Sequence, residues 1–219
     1  MSKKVRFIAA VLVSLLPFNL LRCAIYRWFF GYSIRNARIG FATVISVRKA
    51  SMEGCTLGRF NKFIGPMNVS IAHGADIESH NTFDCGEWTA DARHIDRYDR
   101  TLILEAGSRI TNHHFFDVAG RFFLGEGSWI AGRGSQFWTH GVNVSDRNVS
   151  IGRNSYIGSA VRFAPGGGVG DNVIVGIGSI VTKQIDTSNA LIAGFPATVV
   201  KEGRGWQRIL PPGGTTQAR

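Results

Sequence analysis

Cysteine is scarce in this chain and poorly placed for cross-linking. The three present, Cys23, Cys55 and Cys85, are odd in number, widely spaced and form no C-x-x-C pair. That argues against a disulfide framework and a zinc ribbon, and it fits a reducing compartment. As small buried hydrophobes the three need no further role. Proline is also scarce, at 6 residues against 27 glycines. Disordered and collagen-like chains are rich in both, so glycine without proline points to a folded chain with many tight turns.

Acidic residues are lacking at one end. Met1 to Lys62 holds 11 Lys and Arg but a single acid, Glu53, whereas the remainder balances 14 bases with 14 acids. The whole net charge of +10 therefore sits at the N-terminal end. An uninterrupted membrane-spanning run is missing too. Phe7 to Phe30 has the length, but Pro17, Asn19, Arg22 and Arg27 break it. Met1–Arg6 followed by Phe7–Leu16 imitates a signal peptide, yet Leu21-Arg22-Cys23 offers no small-residue cleavage site, and Arg22 spoils a lipobox at Cys23.

Two short helices are predicted instead, with Pro17–Asn19 as break and cap. In the second, Leu20, Leu21, Ala24, Ile25 and Phe29 share one side, near Arg22 and Arg27. That is the profile of a helix lying in a membrane interface; packing against the rest of the protein is the alternative. Bases among aliphatics suit an anionic membrane surface. Nucleic acid is not expected, because there is no stacking platform. Residues 1–34 are thus read as a helical segment that touches membrane through residues 1–31. The expected location is cytoplasmic, peripheral at the inner face of the membrane.

The remainder is a repeat. Ile151, Ile157, Phe163, Val169, Val175 and Val181 recur every six residues, in the blocks IGRNSY, IGSAVR, FAPGGG, VGDNVI, VGIGSI and VTKQID. Six residues give one short strand and one corner, so an aliphatic at fixed phase points inward from every strand. Small residues fit the corners, and Asn154 and Asn172 fall where a left-handed backbone is needed. Stacked coils then bury a column that no single coil could bury. Upstream, Ile71, Ile77 and Phe83 keep the step, as do Leu104, Ile110 and Phe116, and Leu124 and Ile130; Ile39, Ile45, Leu57 and Phe63 fit less cleanly. Slips mark loops that leave a corner, most clearly residues 85–101 (CGEWTADARHIDRYDRT) and then 141–150. A β-sandwich would show period two with turns every 8–12 residues, and this chain does not.

Ile151–Glu202, from IGRNSYIGSAV to IAGFPATVVKE, resembles the hexapeptide-repeat acetyltransferases, in particular galactoside and maltose acetyltransferases and exopolysaccharide O-acetyltransferases. The resemblance is specific over Leu104–Glu202. The N-terminal LLPFNLLRCAIYRWFFG resembles, less specifically, the leading helix of polysaccharide O-acetyltransferases. It implies an all-β chain: a left-handed parallel β-helix of hexapeptide repeats over 35–200, with short N-terminal helices and a C-terminal tail over 201–219. It also implies a homotrimer with sites between neighbouring subunits, acetyl-CoA as donor, no metal, and a saccharide acceptor. His140 in QFWTHGV matches the family's catalytic base. Ser159, Ile177, Thr182, Lys183 and Lys201 match acetyl-CoA contacts. Thr198 stands where the family often has a base, and Arg204 is the substitute. Asn112 in ITNHHFFD matches an acceptor-pocket Asn, with Asp117 beside it.

The chemistry suits these residue types. A sugar hydroxyl is a poor nucleophile until its proton is removed, and an imidazole can take that proton near neutral pH and return it to the leaving thiolate. The base needs an orienting partner, for which Asp117, Asn112 or a backbone carbonyl serve. The oxyanion needs N–H donors, which glycine corners such as Gly132–Gly134 present. His113, His114 and Trp138 are acceptor-site candidates; adjacent on a strand, His113 and His114 face opposite sides.

Rival readings remain. A γ-class carbonic anhydrase uses the same fold, but its closely spaced His pair is absent, leaving only His113, His114 and His140. A scaffold would not need both THG and VTK…GFPA…K. A xenobiotic, nucleotide-sugar or amine acceptor is open; the basic, apolar N-terminus favours a membrane-bound saccharide.

Overall fold

A computed structural model describes residues 2–203. From Ser33 onward the chain winds through short parallel strands into a three-faced coil. Each face contributes one inward column. Ile39, Leu57, Ile77, Ile110, Ile130, Ile157, Val175 and Ile192 align on the first. The second carries Ile45, then Phe63, Phe83, Phe116, Phe137 and Phe163, then Val181. The third carries Met52, Ile71, Leu104, Leu124, Ile151, Val169 and Ile185. The five phenylalanine rings stack at 4.4, 4.4, 4.7 and 5.2 Å between centroids. Identical residues at one phase stack through the prism fully buried, and ring stacking adds to their burial.

The corners explain the sequence's small and polar positions. Asn154 and Asn172 are left-handed, at φ 49° and 55°, as their tolerance of that region predicts. At the corner between the first and second faces, side chains replace missing backbone partners. Asn61 Oδ1 accepts from Asn81 N, Asn81 Oδ1 from His114 N, and His114 Nδ1 from Ser135 N. Each buried corner thus satisfies the coil above it.

The edge between the second and third faces is different. Two long strands, Val44–Glu53 and Lys62–Ile71, run around it unbroken. Gly65 makes the bend: its φ is 107°, and a Cβ there would lie 1.9 Å from the Cys85 carbonyl oxygen. In the next coils the chain leaves this edge, through residues 85–100 and 138–148. These excursions produce the slips in the six-residue phase.

Helices α1 (Lys3–Ser14) and α2 (Asn19–Trp28) cover the open N-terminal end. Tyr26 is fully buried, and its hydroxyl accepts from Ile45 N at 3.1 Å. Phe18 occupies the α2 cap, and Asn19 instead bridges Ile39 N and Ala37 O. Arg22 is buried and donates to Ile39 O and Leu16 O, while Arg27 donates to Ile34 O. Arg22 is thus turned inward, whereas Arg27 satisfies a coil carbonyl while staying exposed. Of that stripe, Ala24 and Ile25 are half-buried, whereas Leu20, Leu21 and Phe29 are exposed. Among the described residues no helix is long and apolar enough to cross a membrane.

The other end closes with an antiparallel hairpin, Ala190–Gly194 with Ala197–Glu202. Lys201 belongs to that hairpin rather than to a separate tail, and Arg204 and the rest of 204–219 lie outside the described residues.

Candidate active site

The strand Phe115–Asp117 ends at the open edge and delivers a carboxylate there. Asp117 is 5% exposed. Its Oδ2 accepts from Thr139 N at 2.8 Å and lies 3.0 Å from Thr139 Oγ1 and 2.8 Å from His140 Nδ1. Thr139 Oγ1 in turn accepts from Gly120 N. The carboxylate is thereby fixed before it meets the imidazole. With Nδ1–H donating to Asp117, Nε2 of His140 carries the lone pair. The His140 side chain is 42% exposed, open enough to meet a substrate. Asp84 aligns with Asp117 on the adjacent coil. Burial, then the Asp117 charge, pushes its carboxyl above the ordinary range.

Residues 85–100 wall this site. The turn Glu87–Ala90 sets Trp88 edge-on to His140, 5.7 Å between rings, with Tyr98 4.9 Å behind it. Arg100 closes the loop by donating to Thr89 O at 2.6 Å and Ile95 O at 3.0 Å. Trp138 flanks His140 on the other side at 6.4 Å. Sequence reasoning left Trp88, Tyr98 and Thr139 out. The only signal was two aromatics in an otherwise polar excursion, and a threonine directly before the histidine.

The remaining candidates divide between two edges. Asp117, Trp138, His140, Thr182 and Lys183 share the open edge between the second and third faces. Asn112, His113, His114, Ser159, Ile177 and Gly132–Gly134 lie at the corner between the first and second. There the Asn112 side chain bonds Glu78 and Ser79 N. His113 stacks on His80 at 4.7 Å. His114 is a buried rung whose Nδ1 accepts from Ser135 N; burial first, then the neighbouring His113, depresses its pKa to about 4. The residue is 2% exposed and held between Thr111 Oγ1 and Ser135 N. Among the described residues no group of three His, Cys, Asp or Glu has metal-holding geometry, and His113, His114 and His140 do not converge.

No family model matches the chain. Over 54 residues it is 48% identical to the galactoside O-acetyltransferase of Escherichia coli (strain K12), a stretch covering 25% of this chain and 26% of that one. The chain thus spans about a quarter of the length of that curated relative. The structure superposes on that of the polysialic acid O-acetyltransferase OatWY with a TM-score of 0.52 and 18% identity, over 82% of this chain and 85% of that one. The chain thus shares its fold with that O-acetyltransferase, and one stretch of it is similar in sequence to a galactoside O-acetyltransferase. The fold is a left-handed parallel β-helix. Parallel crossovers are otherwise almost always right-handed. Here the left-handed residues at successive corners, from Phe60 to Ala160 and from Gly74 to Asn189, belong to the opposite winding.

Proposed function

We propose that the protein is an acetyl-CoA-dependent O-acetyltransferase acting on a saccharide hydroxyl, with His140 as general base. The observation that carries this is the 2.8 Å contact between His140 Nδ1 and the pre-fixed Asp117 carboxylate. Nε2 takes the hydroxyl proton as the acceptor oxygen attacks the thioester carbonyl. The tetrahedral oxyanion collapses, the C–S bond breaks, and the departing CoA sulfur takes the proton from the imidazolium. Asp117 holds the ring and stabilises that cation without accepting the proton. Thr182 and Lys183, on the same edge, and Ser159, Ile177 and Lys201 are the proposed donor contacts.

The division between edges supports a homotrimer. One chain cannot bring Asn112, Ser159 and Ile177 to His140, but a threefold assembly sets the corner of one subunit against the open edge of the next. In that cleft Gly132–Gly134 and Asn112 face the base. The N-terminal cap supports a peripheral membrane position at the cytoplasmic face. Leu12, Phe18, Leu20, Trp28 and Phe29 are 60–84% exposed there, and no acid precedes Glu53. An acceptor carried on a lipid would be presented at that surface.

Calorimetric titration of acetyl-CoA into the full chain tests the donor half, with saturable binding expected near one site per chain. His140→Ala should keep that binding and lose acetyl transfer by roughly 10²–10⁴-fold. No binding at millimolar acetyl-CoA would sink the enzyme reading and favour a scaffold.

A further inference from the structure

The two excursions at the open edge meet at Tyr98, which connects to His140 through Trp88. The Arg147 guanidinium lies 4.9 Å over the Tyr98 ring, joining residues 138–148 to residues 85–100. Tyr98 packs on Trp88, and Trp88 on His140. Between the two segments lies a groove of about 280 Å³, walled by Asp96, Tyr98, Asp99, Asp146 and Arg147. Its floor is Gly120, whose N–H donates to the threonine directly before the base. A Cβ at Gly120 would fall 2.8 Å from the Arg147 carbonyl oxygen and 3.1 Å from Thr139 Cβ, so the close approach of floor and base requires glycine.

The chemistry of the walls is selective. Asp96, Asp99 and Asp146 face Arg97 and Arg147, a formal excess of one negative charge in a chain whose net charge is +10. Asp99 accepts from Thr101 Oγ1 at 2.7 Å and Asp146 from Asn148 N at 3.2 Å, each through one oxygen. Arg147 Nε is buried without a partner among the described residues. A hydroxyl can donate to the carboxylates and accept from the guanidinium, so a polyhydroxylated ring fits both wall types. An anionic sugar would bring its carboxylate against three others.

We propose that this groove is the acceptor subsite and that it selects a neutral saccharide over an anionic one. The inference rests on the acetyltransferase reading above. It places Tyr98, with Trp88 packed against it, as the apolar wall for a sugar ring, and Asp146 with Arg147 as its polar wall.

Ligand-observed NMR on the full chain with CoA present tests this without turnover. The probes are methyl β-galactoside and maltose as neutral ligands and the methyl glycoside of N-acetylneuraminic acid as the anionic one. The neutral probes should bind, and Tyr98→Ala should weaken them by about three- to tenfold, the worth of one ring contact. Tyr98→Phe keeps both ring contacts and should retain more of that binding, which separates loss of the platform from misfolding. Asp146→Asn keeps the acceptor for Asn148 N–H and should narrow the preference against the sialoside. A sialoside bound more tightly than the neutral probes, no neutral binding, or Tyr98→Ala without effect would each overturn the proposal. Acetyl-CoA titration of the same samples separates the two levels. Donor binding with failed saccharide binding removes the groove alone, whereas loss of both removes the acetyltransferase reading.

Discussion

At the residue scale, two histidines of one chain have opposite fates, set by what their Nδ1 atoms meet. His140 Nδ1 faces a carboxylate at the surface, and His114 Nδ1 accepts from a buried backbone N–H. Asp117→Asn should therefore lower kcat by orders of magnitude while donor binding stays, because an amide neither fixes the tautomer nor stabilises the imidazolium; single-turnover acetyl transfer reads this. His114 gives a stability prediction. Its folded pKa of about 4 lies below the ordinary 6.5, so between those values the unfolded chain binds the extra proton. Stability is complete above about pH 6.5 and falls as pH drops towards 4, by on the order of 3 kcal/mol from this group. Thermal melts across that window should show the drop, and His114→Asn should flatten it. An unchanged slope in the variant would show that other groups carry the acid sensitivity.

At the scale of elements, the coils and the excursions obey different rules. A coil is legible because one residue in six must point inward, and the phenylalanine column from Phe63 to Phe163 shows how strictly. Phe116→Ala, in the middle of that column, should cost about 3–5 kcal/mol in denaturant unfolding. The excursion 85–100 has no such phase. Its form depends on Arg100, a residue at φ 52° whose guanidinium satisfies two carbonyls of the same loop. Arg100→Ala removes charge-assisted bonds worth about 1.5–3 kcal/mol each. It should leave the coil's melting intact, open residues 85–100 to limited proteolysis and raise the acceptor KM through displacement of Trp88. Unaltered cleavage would mean that the aromatic cluster alone holds the loop.

At the scale of the whole molecule, the apolar cap and the charge distribution act together. Exposed Leu20, Trp28 and Phe29 lie at a helix whose Arg22 is turned inward and whose Arg27 is exposed but bonded to Ile34 O. Further outward cations come from neighbours such as Lys3, Lys4, Arg35 and Arg38. The full chain should cosediment with vesicles containing anionic phosphatidylglycerol, less so at high salt. Leu20→Asp with Trp28→Asp should release it while the melting temperature stays near the parent value. Sedimentation equally strong on neutral vesicles, or undiminished in the double variant, would count against the interface.

The coil, the helical cap and the histidine proposed as base are all legible in the residues alone. These are periodic or local properties: an inward aliphatic at fixed phase, a proline break, a histidine within a matching motif. Only the tertiary structure decided which residues meet. Asp117 and His140 are adjacent because one turn of the coil, including its exit after Phe137, separates them. Asn112, His113 and His114 precede Asp117 by only a few residues, yet they lie around the previous corner. A corner turns the chain through a face within three or four residues. Neighbours in sequence are thus sent to different edges, and distant residues are stacked on one.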